Sequence, residues 1–123
     1  MEAKKYLGQI KELDTKIKYK KILLESLDKS APPVAEKKKL KREINKDLLR
    51  YYRLRNEILD TIYQLEKPEH IDIIYAKWVD GISLERIART TNYSFHTVRN
   101  SYWKAMRSIE ELIKDEGKPP QKV

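Results

Sequence analysis

The chain has 123 residues, of which 27 are Lys or Arg and 19 are Asp or Glu, so its formal net charge is +8. Hydrophobic residues make up 40% of the chain, charged residues make up 37%, and the mean hydropathy is −0.77. A membrane-spanning helix needs about 18 consecutive apolar residues, and no stretch of this sequence approaches that length. The basic excess indicates an acidic partner, of which nucleic acid is the commonest.

Residue types that carry catalysis or hold cofactors are scarce. Cysteine is absent, and two histidines, His70 and His96, are too few for a zinc cluster. Three glycines do not supply the glycine-rich loop that holds phosphate groups. The first ten residues lack the apolar segment of a secretory signal. We therefore expect a cytoplasmic protein that is not an enzyme and has neither a metal nor a cofactor.

Apolar residues in the N-terminal half recur at alternating steps of four and three, the spacing of a heptad seam between helices. One series lies within residues 3–28 and the other within residues 35–66, and each contains a single cation, Lys20 or Arg55. The members are Tyr6, Ile10, Leu13, Ile17, Lys20, Leu24 and Leu27 in the first series, and Ile44, Leu48, Tyr51, Arg55, Ile58, Ile62 and Leu65 in the second. The short break at residues 28–34 predicts antiparallel neighbours, forming a long, coiled-coil-like helical hairpin.

Further apolar residues widen this stripe beyond what two helices bury against each other. They are Leu23, Leu40, Leu49, Tyr52, Leu54, Leu59 and Tyr63. We therefore expect residues 1–67 to form a homo-oligomer through the N-terminal helices. The alternative is that the stripe packs on the C-terminal part of the same chain. The basic run at residues 37–42 is either a nucleic-acid contact or a solvated helix face.

A supporting helix is predicted from Pro68 to about Asp80. Proline suits the first turn of a helix, where its missing N–H would have no partner, and His70 in that turn is expected to be solvated. Gly81 follows where a helix favours a left-handed residue. Apolar residues at helical spacing form the expected core face, in which the aromatic side chains are buried. These residues are Ile71, Ile74, Tyr75, Trp78 and Val79.

A short helix, a turn and a longer helix follow. Ser83 and Ser94 are good N-caps for the two helices, and Asn92 between them tolerates the left-handed conformation of a tight turn. We expect Tyr93 and Val98 to fill the corner where the helices cross. The core face of the longer helix is expected to contain Val98, Tyr102, Ala105, Ile109 and Leu112.

This order of elements is typical of a helix-turn-helix. The sequence thus predicts an all-α fold with a hairpin over residues 1–67, a C-terminal helix-turn-helix domain over residues 68–116 and a flexible tail over residues 117–123.

The outer face of the longer helix carries residue types that bind bases or phosphates. Residues 86–109 contain five basic residues and no Asp or Glu, and the basic residues are Arg86, Arg89, Arg99, Lys104 and Arg107. This charge distribution favours a polyanion that contacts only part of the helix. Arg99 can donate two hydrogen bonds to guanine, Asn100 can pair with adenine, and Phe95 can contact a thymine methyl group. Lys104 and Arg107 lie one and two turns later and are assigned to the phosphate backbone.

Residues 77–112 resemble region four of bacterial sigma factors, the helix-turn-helix that binds the −35 promoter element. The likeness rests on Gly81, Ile82-Ser83, Glu85-Arg86-Ile87-Ala88, Thr97-Val98 and Lys104-Ala105. The sequence departs from the pattern at Asn92, where glycine is usual, and at Trp103, which is larger than usual and packs either on the hairpin or on a second subunit. As a whole, the chain resembles the small phage and prophage regulators of the RinA and ArpU kinds, which are associated with late-gene transcription.

Transferred by position, the resemblance to region four implies base contacts at the start of the longer helix and phosphate contacts at the two helix N-termini. The base contacts would come from Phe95, His96, Arg99 and Asn100, and the phosphate contacts from Ser83, Ser94 and Thr97. Arg89, Lys104 and Arg107 complete the predicted DNA-binding set.

The expected function is sequence-specific binding of double-stranded DNA by a transcriptional regulator of phage or prophage genes, in the cytoplasm of a bacterial host. Two alternatives stay open. One is a regulator that contacts RNA polymerase and for which DNA contact is secondary. The other is a packaging component that is similar to small terminase subunits, although their DNA-binding part is usually N-terminal.

Overall fold

The computed structural model describes residues 2–29 and 34–116, and the regular structure within these ranges is helical, without a strand. The predicted all-α class is therefore confirmed. The α-helices are α1 (Ala3–Lys29), α2 (Val34–Tyr63), α3 (Pro68–Ile74), α4 (Leu84–Thr91) and α5 (Phe95–Glu116). The predicted tail at residues 117–123 lies outside the described residues, as do residues 30–33 of the predicted break.

The chain divides into two compact units. One comprises Gln9–Asn56, and the other joins the N-terminal residues up to Gly8 with the chain from Glu57 onward. Helices α1 and α2 therefore contribute to both units, and residue 67, at which we predict the end of the hairpin, lies within the second unit.

Inside the unit of residues 9–56, α1 and α2 contact each other through ion pairs and buried side chains. Lys20 Nζ donates a hydrogen bond of 2.7 Å to Asp47 Oδ2, and Lys37 Nζ lies 3.2 Å from Asp28 Oδ1. The later residue of α1 pairs with the earlier residue of α2, which is the order that antiparallel helices require. The buried apolar residues of this unit are Ile10, Leu13, Ile17 and Ile44.

Asp47 is a buried carboxylate that the apolar spacing of α2 does not predict. The hydrogen bond from Lys20 holds its pKa below the ordinary value, although burial opposes that shift. The seam cation of α1 thus has its partner on α2. The position of Asp47, three residues after Ile44, was the signal that could have revealed this pair.

The other unit has its core where α5 contacts α3 and α4. Thr61 is buried in this unit, and its hydroxyl shares a hydrogen bond of 2.7 Å with the hydroxyl of Tyr6. Nearly all of the predicted core face of α5 is buried, with Leu112 half-buried. The largest fully buried side chains of the unit belong to Leu7, Ile58, Ile62, Ile74, Val98 and Ile109.

Helix α2 ends at Tyr63, three residues before the end of the range 35–66 over which the second helix of the hairpin is predicted. The backbone N–H groups of Gln64 and Leu65 donate to carbonyls three residues earlier, each at 3.1 Å, so the last turn tightens and the helix stops. The side chain of Leu65 is nevertheless buried, as its place in the seam predicts.

The predicted single helix from Pro68 to Asp80 is also corrected. After α3 the chain forms one turn of π-helix over Tyr75–Val79, in which the N–H of Asp80 donates to the carbonyl of Tyr75 at 3.1 Å. Tyr75 and Trp78 are half-buried. Gly81 has φ +71°, the left-handed conformation expected at this helix end.

His70 is buried, not solvated as the sequence analysis expects. Only 9% of the residue is exposed, because α3 packs with this face toward α5. Burial is the main cause that lowers its pKa from the ordinary value. The charge of Lys67 and, more weakly, that of Lys104 act in the same direction, whereas Glu69 opposes them.

Candidate nucleic-acid interface

The two helices α4 and α5 begin at serine N-caps, as predicted. Ser83 Oγ accepts a hydrogen bond of 3.2 Å from the N–H of Arg86, and Ser94 Oγ accepts one of 3.1 Å from the N–H of Thr97. Between the helices Asn92 has φ 62° and ψ 16°, so it adopts the predicted left-handed conformation. The local sequence thus explains where each helix starts and how the chain turns between them.

The corner between α4 and α5 is filled by Val98, of which 1% is exposed, together with the buried Ile87 and Ala88. The expectation that Tyr93 helps to fill it is wrong, since 60% of that residue is exposed. Val98, Ile87 and Ala88 already fill the small space between the helices, so the Tyr93 side chain, which follows the left-handed Asn92, stays at the surface.

All ten predicted DNA-binding residues are exposed. They lie at the N-terminus of α4, at its last turn, and on α5 from its first turn onward. Among the residues that the structure describes, no carboxylate lies within 4.0 Å of a cation in this set or of Arg86. The candidate site is therefore a positively charged surface whose cations are free to contact an anion.

Two of the predicted base-contacting residues are hydrogen-bonded to each other. Asn100 Nδ2 and His96 Nε2 are 3.2 Å apart, one helical turn from each other on α5. This hydrogen bond orients both side chains. A similar pairing joins the hydroxyls of Ser94 and Thr97 at 2.8 Å.

Phe95, at the start of α5, is partly sheltered. It has 40% of its surface exposed and lines a shallow depression with Tyr93, Glu85, Ala88 and Arg89. The depression places an apolar surface directly beside a free guanidinium group. Phe95 and Arg89 are each predicted from the sequence as contact residues, but their adjacency is apparent only in the structure.

Trp103 contacts the first turn of α1. The Lys4 ammonium lies 5.3 Å from the centre of the Trp103 ring, within the range of a cation–π interaction, and Tyr102 packs edge-on at 5.1 Å. Trp103 is predicted to pack either on the hairpin or on a second subunit, and the N-terminal helix of its own chain supplies one contact. Trp103 is still 45% exposed.

Within residues 2–29 and 34–116, no group of three or more His, Asp or Glu side chains is placed to hold a metal ion. The same ranges contain no helix that is both long and apolar enough to cross a membrane. Comparisons with protein families, with curated proteins and with solved structures give no match.

Proposed function

We propose that the chain is a sequence-specific, double-stranded-DNA-binding transcriptional regulator, with α4, the turn at Asn92 and α5 acting as a helix-turn-helix. The main support is the exposed face from Arg86 to Arg107, which contains no Asp or Glu. Its cations have no carboxylate partner among the described residues. In this proposal the start of α5 enters the major groove, while Ser83 and Ser94 present helix N-termini to phosphates.

The proposed roles follow from side-chain chemistry. Arg99 has a planar fork of N–H donors that suits the O6 and N7 atoms of guanine, and it is exposed one turn into α5. Lys104, a single point charge farther along the helix, is assigned to a phosphate. The His96–Asn100 bond predicts that these two side chains act together, so that substitution of either alters the same part of the binding site.

The test is selection of bound duplexes from a random pool, followed by affinity measurements with two variants. Arg99→Ala is expected to cost about 1–3 kcal/mol on the selected site and to relax the choice at one base pair. Lys104→Ala is expected to weaken selected and random duplexes alike and to lower the salt dependence by about one unit of slope.

Each variant serves as the control for the other, because both remove one exposed cation from α5. Equal losses on selected and random duplexes for both variants would contradict the assignment of Arg99 to a base. A pool that yields no enriched sequence would contradict the proposed function itself.

Self-association is part of the proposal. Several large apolar side chains remain exposed in the unit of residues 9–56. An exposed apolar surface of this kind is typical of a protein–protein contact. They are Tyr19, Ile22 and Leu23 on α1, and Leu49 and Tyr52 on α2. A two-fold pair of chains would bind two half-sites about 34–36 Å apart, or a multiple of that distance.

A second candidate is a contact with RNA polymerase. The observation that favours it is the depression lined by Tyr93 and Phe95, whose exposed aromatic surface also suits a protein side chain. Recovery of polymerase from a bacterial extract by the nuclease-treated chain, and its loss on Tyr93→Ala, would favour this candidate over DNA contact alone.

A further inference from the structure

A row of cations runs along one exposed face of α2, within the unit of residues 9–56. Its members follow one another at steps of three and four residues, which place side chains on one face of a helix. They are Lys39, Arg42, Lys46, Arg50 and Arg53, and all five are exposed. We call this set the α2 basic row. At about 1.5 Å per residue it extends about 21 Å along the helix.

The cations of the row form no ion pair with a described carboxylate of the same unit. In the described ranges no Asp or Glu oxygen lies within 4.0 Å of any of them, and the acids that do form ion pairs use other lysines. The closest pairs are Lys18–Asp14, Lys37–Asp28 and Lys20–Asp47. Arg50 adds to the field that lowers the pKa of Asp47, but Lys20 holds that carboxylate. The row is therefore an unneutralised line of charge.

Helix α1 adds a cation to this line. Lys16 of α1 and Arg50 of α2 line one shallow depression, together with Leu13, Leu54 and a single acid, Glu12. The positive surface thus continues from α2 onto the neighbouring helix inside the same unit.

The net charge of the whole chain belongs to this unit. Residues 9–56 contain 15 Lys and Arg against 7 Asp and Glu, whereas the rest of the sequence contains 12 of each. The unit that carries the candidate site on α5 therefore has no net charge. At distances larger than either unit, the net attraction of a polyanion therefore comes from residues 9–56.

We propose that the α2 basic row binds the phosphate backbone of duplex DNA without sequence preference, as a second DNA contact of the chain. The choice of duplex DNA as the ligand rests on the proposed function. Lys and Arg that neutralise phosphates release condensed counterions, and the three arginines of the row can each bind a phosphate through two N–H groups. A helix bound to a membrane surface instead inserts an apolar face, and the exposed apolar residues of α2, Leu49 and Tyr52, are assigned here to self-association.

The test measures binding of the full chain to a random-sequence duplex between 50 and 200 mM salt. The triple variant Arg42→Gln, Lys46→Gln, Arg50→Gln is expected to lower the slope of log affinity against log salt by about 2.7, since each lost phosphate contact removes about 0.9. Over that salt range the wild-type chain should then lose about 40-fold more affinity than the triple variant.

The matched control is the triple variant Lys11→Gln, Lys21→Gln, Lys29→Gln, which removes three exposed cations from α1. Its slope should change by less than a third as much. An unchanged slope for the α2 variant, or equal changes in both variants, would overturn the proposal. Should the α2 variant lose helical content, the single variants Arg42→Gln and Lys46→Gln replace it, each with an expected decrease of about 0.9.

Two further measurements distinguish this proposal from its alternatives. If the α2 variant bound duplex DNA normally but lost binding to double-stranded RNA, or to vesicles of phosphatidylserine and phosphatidylcholine, the row would have another ligand and the proposal would be wrong. Preference for a selected site over random DNA should survive in the α2 variant. A chain without any such preference, but with the α2-dependent slope, would contradict the proposed function and support the row.

Discussion

His70 is a buried ionisable residue whose pKa lies below its ordinary value, chiefly because of burial. Its backbone N–H donates to the carbonyl of Lys67 at 3.0 Å, and its side chain lines a cavity of about 270 Å³ with Lys67, Ser108 and Glu111 among other residues. The positive charges of Lys67 and Lys104 and the loss of solvent all disfavour the imidazolium form. The packing of α3 with α5 therefore favours the neutral form of His70.

This lowered pKa predicts a fall in stability with acidification. The unfolded chain takes up the His70 proton near pH 6.5, whereas the folded chain takes it up only at a lower pH. The free energy of unfolding should therefore decline as the pH falls from 7.5 through 6.5, and this decline should end below the folded pKa. Urea unfolding at pH 7.5, 6.0 and 5.0 measures it, and His70→Gln should flatten the dependence.

The matched control for this experiment is His96→Gln at the other histidine, which is exposed on α5. It should keep the pH dependence of the wild-type chain. If His70→Gln kept that dependence as well, the burial of His70 would not be its cause.

At the scale of elements, the turn between α4 and α5 depends on a single backbone conformation. Asn92 is the one non-glycine residue with positive φ in the described part of the chain. An alanine in this conformation costs about 1–2 kcal/mol, whereas glycine adopts it freely.

Asn92→Ala should therefore lower the free energy of unfolding by about 1–2 kcal/mol, and Asn92→Gly should leave it nearly unchanged. Tyr93→Ala, at the next and 60% exposed residue, is the control and should stay within about 0.5 kcal/mol of the wild-type chain. The measurement is chemical unfolding of each variant at one pH. Equal stability of the alanine and glycine variants at residue 92 would show that the turn does not require the left-handed conformation.

Local patterns predicted much of the helical layout. The start of α1, the caps at Ser83 and Ser94, the left-handed Asn92 and the buried face of α5 all follow from side-chain spacing and from preferences for caps and turns. The caps and the turn are decided within a few residues of the chain, and the buried face of α5 follows from apolar residues at helical spacing, so both can be predicted from one sequence.

Features that depend on contacts between elements were not predicted. The burial of His70 requires α5 opposite α3, the partner of Lys20 lies 27 residues away, and Tyr93 is excluded from a corner that Val98 already fills. The π-helical turn at Tyr75–Val79 has the apolar spacing of an ordinary helix and becomes apparent only from its backbone hydrogen bonds. For the candidate site, the exposed residue types could be predicted, whereas the hydrogen bond between His96 and Asn100 could not.

At the scale of the whole molecule, net charge and the candidate specific contacts belong to different units. The cations of residues 9–56 supply the net charge, while α5 carries the residues proposed to choose a sequence. Under the two DNA-binding proposals, affinity and specificity are expected to respond to separate substitutions. A pair of chains would also double the number of phosphates contacted.

Self-association predicts that the chain at micromolar concentration has at least twice the mass of the monomer. Leu49→Gln with Tyr52→Gln removes two exposed apolar side chains of α2 without changing the charge, and it should shift the chain toward the monomer. Size-exclusion chromatography with light scattering measures the mass. Tyr93→Gln, at an exposed aromatic residue of the other unit, is the control that should leave the mass unchanged, and a monomeric wild-type chain would contradict the prediction.

The Lys20–Asp47 pair favours one register of α1 against α2. A slip by seven residues would place the Asp47 carboxylate against Leu13 or Leu27 of the seam, where it would lose its hydrogen bond and stay in apolar surroundings. Apolar residues alone would fit either alignment, because the seam repeats every seven residues. The pair therefore penalises misaligned pairing while the chain folds, including pairing with the wrong helix of another copy.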